Sequence, residues 1–297
     1  MEALEGHGRE LRCDRVVLEA LVAAVAARVP VAVGGRGENV GGRVEESRRE
    51  AVVVASIEPV ASVVPVKRGP HAHSEAVAAP VSRVVLSQAA PKQERLGQLE
   101  ALRMEAAVCV RCAELAGSRS QVVFGAGAVD AEVLFLGHAP GEAEDREGVP
   151  FAGEPGALLE KILKAMELGP EQVYMTNLVR CSPDLIAGVR APKPLEIENC
   201  HAFLVRQVEA VRPRAIVALG AQVLRALFGE TQPMAQLRGR WYDFGGIPVM
   251  ATFHPKYLVD RPSLSEKRKV WEDLLLVLER LGRPVSEKQR GFFLPKR

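Results

Sequence analysis

Four short, continuous apolar runs follow one another after residue 130 and predict buried β-strands. They are AEVLFLG (131–137), VYMTN (173–177), AIVALG (215–220) and PVMATF (248–253). Runs of this length without polar alternation are typical of parallel strands that are covered on both faces. The pattern therefore predicts a central, mainly parallel four-stranded sheet.

Apolar residues recur at three- and four-residue intervals around these runs, which predicts amphipathic helices. One helix is expected at Gln98–Val108, a second around Leu158–Met166, a third around Cys200–Val211 and a fourth after Ser265. Strands that alternate with helices indicate an α/β sandwich.

The N-terminal third of the chain has a different composition from the rest. No aromatic Phe, Tyr or Trp precedes Phe124. A segment without large side chains buries little surface, while ordering it costs about 1–2 kcal/mol per residue. We therefore expect residues 1–95 to form a low-complexity, largely disordered extension with one helix near Val16–Ala27. A folded domain is expected at 96–284, and a C-terminal tail at 285–297.

Composition and charge narrow the class of protein. Hydrophobic residues make up 47% of the 297 residues and the formal net charge is only +2, so nucleic-acid contacts must come from local basic patches. The apolar stretches are shorter than the roughly 20 residues of a membrane span, and the mixed charges of the N-terminus differ from a secretory signal. We expect a cytoplasmic protein without a membrane partner.

Polar groups follow the predicted strands at one edge of the sheet. The acidic segment GHAPGEAEDREG (137–148) follows the first strand, Asn177 ends the second, Gly220 follows the third, and His254–Pro255 follow the fourth. Ligands of open parallel sheets bind outside the carboxyl ends of the strands. An amide, an imidazole and a carboxylate-rich loop are therefore expected to converge there.

Four cysteines lie in and around this predicted domain. Cys109 and Cys112 form a two-residue-spaced pair, Cys181 follows the second strand, and Cys200 lies in the following helix. In a reducing compartment such residues serve as ligands, nucleophiles or core residues. Their spacing suits a tetrahedral zinc ion or an iron–sulfur cluster, with plain core cysteines as the alternative.

Several blocks, in order, resemble the family 4 uracil-DNA glycosylases, the iron–sulfur type related to a phage DNA-polymerase segment. The blocks are CVRCAELAGSRSQVVFGAGAVDAEVLFLG, GHAPGEAEDREGVPFAGEPGALLEKIL, VYMTNLVRCSP, APKPLEIENC, RPRAIVALGA and RGRWYDFGGIPVMATFHPKYL. The resemblance runs from about Leu96 to Leu281. It implies a three-layer α/β/α fold and a monofunctional hydrolase for base-excision repair. Such an enzyme flips uracil out of single- or double-stranded DNA and leaves an abasic site; we expect a monomer.

The resemblance also implies a role for each candidate residue. Asn177 would pair with uracil O4 and N3–H, His254 would hydrogen-bond O2 as negative charge develops, and Phe151 would stack on the base. Glu144 occupies the place where the family crowds out the thymine methyl group. The remaining implied residues are Gly137 and Ala139 against the substrate, Lys256 at a DNA phosphate, and Cys109, Cys112, Cys181 and Cys200 around a structural [4Fe–4S] cluster, with zinc as the alternative metal.

One position departs from the family pattern. His138 stands where the first motif usually has a glutamate that positions water or balances the developing sugar cation. His138 either supports catalysis in a different way, alters base preference or marks a weakened enzyme. A catalytically weakened or altered-specificity DNA-binding relative is therefore the alternative function, and a zinc-dependent α/β hydrolase is a third.

Overall fold

The computed structural model describes residues 90–188 and 190–294. The predicted helix near Val16–Ala27 and residues 1–89 of the predicted extension 1–95 lie outside the described residues, whereas a helix begins at Lys92 within that range. No helix in the described ranges is long and apolar enough to cross a membrane.

The described residues form one sheet of six strands, so the predicted number of four is wrong. The strands are β1 (Ala126–Gly127), β2 (Val133–Gly137), β3 (Val173–Asn177), β4 (Ala215–Leu219), β5 (Trp241–Phe244) and β6 (Ile247–Thr252). Their order is β1-β3-β2-β4-β6-β5. The four predicted strands are the central ones, and they pair in parallel as expected. The two additional strands are antiparallel edges.

The two edge strands lack the apolar signal of the buried ones. β1 has only two residues. β5 reads WYDF and is only partly buried, because an edge strand needs no continuous apolar run. It joins β6 through Gly245 and Gly246, whose φ angles of 63° and 90° place both residues in the left-handed region. Two consecutive positive φ angles are the requirement of a tight hairpin turn, which glycine meets without strain.

Helices cover both faces of the sheet and confirm the three-layer α/β/α architecture. They are α1 (Lys92–Ala107), α2 (Ala113–Ser118), α3 (Glu142–Glu147), α4 (Glu154–Ala165), α5 (Asp184–Ala187), α6 (Pro194–Val211), α7 (Ala221–Phe228), α8 (Met234–Leu237), α9 (Pro255–Asp260), α10 (Leu264–Arg280) and α11 (Glu287–Arg290). Each of the four predicted helices is present, and each begins some residues earlier than the apolar pattern indicated.

The pleat of the central strands divides the core into two layers. Val133 and Phe135 face α4, α9 and α10 on one side of the sheet. Leu134 and Leu136 face α6 and α7 on the other side. Because both faces are covered, successive residues of each strand are apolar, which explains the continuous runs in the sequence.

The segment after α10 packs back onto the domain. The indole Nε1–H of Trp271 donates to the carbonyl of Gln289 at 2.6 Å, and the Gln289 amide donates to the carbonyl of Ala165 at 3.0 Å. The ring of Phe292 lies 5.3 Å from that of Trp271. These contacts connect α11 with both α10 and α4.

The acidic segment after β2 is partly helical, whereas the sequence pattern predicted a loop. α3 occupies Glu142–Glu147, with three acidic residues in its first turn. The Glu144 carboxylate accepts a hydrogen bond from the Gly141 N–H at 2.7 Å, which satisfies a free N–H group at the start of the helix. Negative charge near a helix N-terminus is also favoured by the helix dipole. The acidic residues therefore help to form a short helix beside the sheet edge.

Candidate active site

Gly137 and Asn177 lie side by side at the carboxyl ends of β2 and β3, where they are partners in the parallel register. A Cβ atom on residue 137 would lie 2.1 Å from Asn177 Oδ1 and 3.0 Å from the ring of Phe151. Real Cβ atoms essentially never approach another atom as closely as 2.1 Å, and a contact of 3.0 Å is tighter than most. Glycine at 137 therefore leaves the space that the Asn177 amide and the Phe151 ring occupy.

The Glu144 carboxylate connects three parts of this edge. Besides Gly141, it accepts hydrogen bonds from the Phe151 N–H at 2.6 Å and from Asn177 Nδ2 at 3.4 Å. Burial raises the pKa of this carboxyl group, while its N–H donors act in the opposite direction. Both carboxyl oxygens accept N–H groups, so the carboxyl group directs the NH₂ of Asn177 toward itself and leaves Oδ1 beside Gly137.

Phe151 has a backbone conformation that is unusual for a residue with a side chain. Its φ of 58° is in the left-handed region, which costs an L-residue about 1–2 kcal/mol. The hydrogen bond from its N–H to Glu144 holds it there. Its carbonyl oxygen lies only 1.5 Å from where a Cβ on Gly156 would be, so α4 reaches this turn through a residue without a side chain. The ring is buried and faces the sheet edge.

His254 follows β6 and caps the short helix α9. Its Nδ1 accepts a hydrogen bond from the Lys256 N–H at 3.1 Å. Because Nδ1 is the acceptor, the proton of the neutral ring is on Nε2. Burial, together with the charges of His138 and Lys256, lowers the pKa of His254 to about 3. At neutral pH this side chain is therefore an uncharged N–H donor.

Three aromatic rings meet at this edge of the sheet. The centroid of the His254 ring lies 5.8 Å from that of Phe151, with the two planes tilted by 30°. The His138 ring meets His254 edge-on at 5.6 Å. The structure thus brings together the predicted residues of three strand ends, with Asn177 and Phe151 both beside Gly137.

His138 is half-buried, and the nearby carboxylate of Asp184 affects its pKa. The sequence pattern did not indicate Asp184 as part of the site. Burial lowers the pKa of His138, while the negative charge of Asp184 raises it. The same charge also raises the pKa of Glu144. Asp184 begins α5 in the segment after Cys181, and its Oδ1 accepts the Arg190 N–H at 3.1 Å. No strand or motif marks this position, so its proximity to the site follows only from the fold.

The other two predicted contact residues are Ala139 and Lys256. Ala139 lies in the loop after β2 and is buried against Val179 and Cys200, so this loop packs against one of the four cysteines. Lys256 is exposed, and its ammonium group pairs with Asp260 at 3.3 Å, one helical turn away. A surface pair of this kind contributes little and leaves the lysine available for another anion.

The four cysteines are all free thiols in the described part of the chain. Burial and the charges of Cys112 and Cys200 raise the pKa of Cys181, and the charges of Cys112 and Cys109 act in the same direction on Cys200. The four groups are thus close enough to influence one another. Within residues 90–188 and 190–294, however, no group of three or more histidine, cysteine or carboxylate side chains is arranged to hold a metal ion as it stands.

Nitrogen donors contact three of the four cysteine sulfurs. The Arg119 guanidinium donates to Cys181 Sγ at 3.1 Å, and the Asn199 amide donates to Cys112 Sγ at 3.4 Å. The backbone N–H of Arg180 is directed at Cys200. Hydrogen bonds to sulfur stabilise thiolates and are a feature of iron–sulfur sites. The chemistry of this donor set fits such a cluster.

Comparison with known proteins points to one family. The model of the Uracil DNA glycosylase superfamily matches residues 124–275. The chain is 39% identical to the type-4 uracil-DNA glycosylase of Thermotoga maritima over 168 residues, which cover 56% of this chain and 85% of that protein. It is 38% identical to the type-4 enzyme of Archaeoglobus fulgidus over 167 residues, which cover 54% and 82%. A type-5 uracil-DNA glycosylase of Pyrobaculum aerophilum is 31% identical over 207 residues, which cover 58% and 87%.

Proposed function

This chain belongs to the uracil-DNA glycosylase superfamily, and we propose that its sheet edge is the pocket in which it hydrolyses the N-glycosidic bond of uracil in DNA. The observation that carries the proposal is the meeting of Phe151, Asn177 and His254 around Gly137. The enzyme is a DNA repair hydrolase, and the weakened-relative alternative is not favoured, because the similar proteins are named as glycosylases.

Asn177 would select uracil through both atoms of its amide. With one N–H held by Glu144, the other can donate to uracil O4 while Oδ1 accepts from N3–H. Cytosine presents the opposite pattern of donor and acceptor, so it would leave two buried polar groups unpaired. Such mismatches cost about 1–3 kcal/mol each.

Phe151 would provide the stacking surface for the flipped base. Base–aromatic stacking contributes about 1–3 kcal/mol, which offsets part of the cost of removing the base from the duplex. The left-handed turn at Phe151 and the space at Gly156 fix the position of the ring before substrate binds.

His254 would stabilise the departing uracil. When the bond between C1′ and N1 breaks, its electron pair goes to the base and negative charge develops on O2. A neutral imidazole with its proton on Nε2 donates a hydrogen bond to that oxygen without repelling the cationic sugar. This role needs no change in the protonation state of His254.

His138 would act on the water that completes the reaction. A neutral imidazole can accept the proton that water loses when its oxygen bonds to C1′. The negative charge of Asp184 favours the protonated ring that results. We therefore infer that His138, supported by Asp184, serves in place of the usual motif glutamate.

Cys109, Cys112, Cys181 and Cys200 would hold a [4Fe–4S] cluster, with zinc as the alternative. Each cysteine of such a cluster binds a different iron atom, so the four sulfurs need not converge on a single point as they would for one metal ion. The bound cluster would have a structural role, tying the segment before α2 to the end of β3 and to α6. Iron and sulfide in the purified protein would support the cluster; stoichiometric zinc in a colourless protein would support the alternative.

An excision assay tests the proposed function. Oligonucleotides with uracil opposite guanine, uracil opposite adenine and unpaired uracil are treated with the protein and then with alkali, which cleaves at abasic sites. We expect cleavage of the uracil strands and none of matched thymine or cytosine strands. Protein with its full cluster that leaves every uracil strand intact would refute the proposal.

Substitution of Asn177 tests the assigned pocket. We expect Asn177→Ala to lower the excision rate by about 10²–10³-fold, because the substrate loses a bidentate partner and Glu144 loses a donor. Circular dichroism and the melting temperature check that the fold is intact. An unchanged rate would show that base recognition lies elsewhere.

A further inference from the structure

Thr252 is the last residue of β6 and lies two positions before His254 in the chain. Its side chain is 0% exposed. The hydroxyl donates to Asp273 Oδ2 in α10 at 2.6 Å, and the backbone carbonyl accepts the Gly220 N–H at 2.8 Å. The first bond holds the side chain against a helix, and the second holds the backbone against the end of β4. The end of β6 is therefore fixed from two directions.

The Asp273 carboxylate is itself held in one orientation by Arg238, the residue after α8. The guanidinium Nη2 donates to Oδ1 at 2.6 Å, and Nε donates to Oδ2 at 3.1 Å. Nη2 also donates to the carbonyl of Lys269. A carboxylate in a bidentate pair cannot rotate without breaking both bonds, so its acceptor positions are well defined. The Thr252 hydroxyl therefore has one preferred place.

His254 depends on this anchor because its own side-chain hydrogen bond is local. Its Nδ1 accepts from the Lys256 N–H, which orients the ring relative to α9 and does not tie it to the sheet. The core packing of Leu258 on α9 is apolar and gives no direction. The His254 Cβ lies 3.5 Å from where a Cβ on Gly220 would be, and Gly220 is the residue that donates to the Thr252 carbonyl. The backbone at the end of β6 thus determines where the imidazole lies.

We propose that Thr252, held by the Asp273–Arg238 pair, is a positioning residue for His254. The bond between its hydroxyl and the Asp273 carboxylate sets where the Nε2–H donor of His254 lies relative to the departing base. The inference rests on the proposed uracil excision and on the role that His254 has in it. A misplacement of about 1 Å in such a group lowers a rate by as much as about 10²-fold.

Two substitutions of Thr252 separate its hydroxyl from its shape. Thr252→Val removes the hydroxyl and keeps the branched side chain, whereas Thr252→Ser keeps the hydroxyl. Both leave Asp273 paired with Arg238, so no buried charge loses its partner. Thr176→Val is the matched control, because Thr176 is also 0% exposed near a strand end and its hydroxyl donates to the Phe124 carbonyl at 3.1 Å. Circular dichroism and the melting temperature check that each variant is folded.

The first readout is the single-turnover rate of uracil excision. The assay is run at about pH 7.5, where Asp273 is ionised because burial raises its pKa only to about 6. We expect Thr252→Val to lower the maximal rate by about tenfold or more, with little change in the protein concentration at half-maximal rate, because His254 acts mainly in the transition state. Thr252→Ser should stay within about threefold of the wild type.

A double-mutant cycle tests whether Thr252 acts through His254. In a His254→Gln background, Thr252→Val should change the rate by less than about twofold, because the group that it positions is gone. Thr176→Val lies on the Asn177 side of the pocket and should lower the rate by the same factor in both backgrounds. A general loss of structure would also persist in both backgrounds. The inference is overturned if Thr252→Val leaves the wild-type rate unchanged or lowers it equally with and without His254.

A second readout does not depend on activity. The ring centroids of His254 and Phe151 lie 5.8 Å apart, so their ring protons are close enough for nuclear Overhauser contacts. We expect Thr252→Val to weaken these contacts, and Thr252→Ser and Thr176→Val to preserve them. Wild-type protein that excises no uracil would refute the proposed function, and the ring contacts would still decide whether Thr252 positions His254. Unchanged contacts in Thr252→Val would overturn the inference alone.

Discussion

Glu144 accepts hydrogen bonds from three N–H groups of the protein, in addition to the role that the resemblance implies for it, the exclusion of the thymine methyl group. Its carboxylate fixes the start of α3, the turn at Phe151 and the amide of Asn177 together. In the proposed pocket, base specificity would then depend on a side chain that acts through another residue, because the Asn177 amide could pair with uracil only in one of its two orientations.

The orientation of Asn177 is testable with Glu144→Gln. A glutamine of the same size also carries an NH₂ group, which would face an N–H donor at one of the three contacts. We expect kcat/KM for uracil to fall by about tenfold or more, equivalent to about 1.4 kcal/mol. Glu142→Gln, at an exposed position in the same helix, is the control and should leave the rate unchanged. Equal rates for the two variants would show that Glu144 does not orient the amide.

His254 makes the free energy of unfolding depend on pH. The folded chain holds this imidazole neutral down to about pH 3, whereas in the unfolded chain it binds a proton below its ordinary pKa of 6.5. Between these values the folded state binds fewer protons, so the free energy of unfolding rises with pH. The stability that the neutral His254 contributes is fully present above pH 6.5 and is lost as the pH falls toward 3.

Comparison of the wild type with His254→Gln isolates this contribution, because glutamine does not titrate. We expect denaturant unfolding at about pH 4 and about pH 7.5 to show a larger acid loss for the wild type. The excision rates should differ by about 10²–10³-fold, with a ratio that is constant from about pH 5.5 to about pH 8. A ratio that grows through pH 6.5 would mean that His254 titrates in the active enzyme.

Residues at strand ends were predictable, and residues placed by tertiary contacts were not. Asn177 and His254 directly follow apolar runs, and parallel strands bring such positions to one edge. Asp184 follows no such run, and the hydrogen bond between Glu144 and the Phe151 N–H depends on a left-handed turn that nothing in the local sequence requires. The prediction thus identified which groups meet, but not which of them hold the others in place.

At the scale of elements, the turn before α4 determines where the Phe151 ring lies. The Phe151 carbonyl occupies the space that a side chain at Gly156 would fill. Helix and turn therefore approach each other as backbone against backbone. The edge strands β1 and β5 could not be predicted from the sequence. They form by pairing with β3 and β6 and have no apolar pattern of their own.

Gly156→Ala tests this approach. Alanine is the better helix former, yet its Cβ would lie 1.5 Å from the Phe151 carbonyl oxygen. We expect a loss of about 1–3 kcal/mol in the free energy of unfolding, with a lower excision rate as the ring is displaced. Gly97→Ala in α1 is the control, since its Cβ would meet no atom within 4 Å; it should stabilise by about 0.5–1 kcal/mol. A Gly156→Ala protein as active and stable as the wild type would show that the close contact between α4 and the turn at Phe151 does not position the ring.

At the scale of the whole molecule, the sheet and both core layers lie within residues 90–294. Arg95 anchors α1 to this body, because its guanidinium donates to the carbonyls of Val129 at 2.8 Å and Ala210 at 2.9 Å. A chain that begins at Ala90 keeps these contacts, and a chain that begins at Gln98 loses them.

We expect the chain from Ala90 to excise uracil at the full-length rate and to melt within about 3 °C of the full-length protein, which corresponds to about 1 kcal/mol for a domain of this size. The chain from Gln98 should melt at a lower temperature, because the contacts of Arg95 with three part-buried carbonyl groups and with the exposed Asp130 carboxylate are gone. Calorimetry and the excision assay check both. A loss of activity in the longer of the two would show that the first 89 residues contribute to the site.

The order of the strands also has a consequence for synthesis on the ribosome. The central strand β2 leaves the ribosome early, β3 joins one side of it, and β4, β6 and β5 belong to the other side. His254 is translated 77 residues after Asn177 (254 minus 177), which is about 4–15 s at about 5–20 residues per second. If the proposed roles hold, the side of the pocket with Asn177 would be synthesised well before His254, the group proposed to stabilise the departing base. On that assignment, the proposed site would be complete only when nearly the whole sheet has been synthesised.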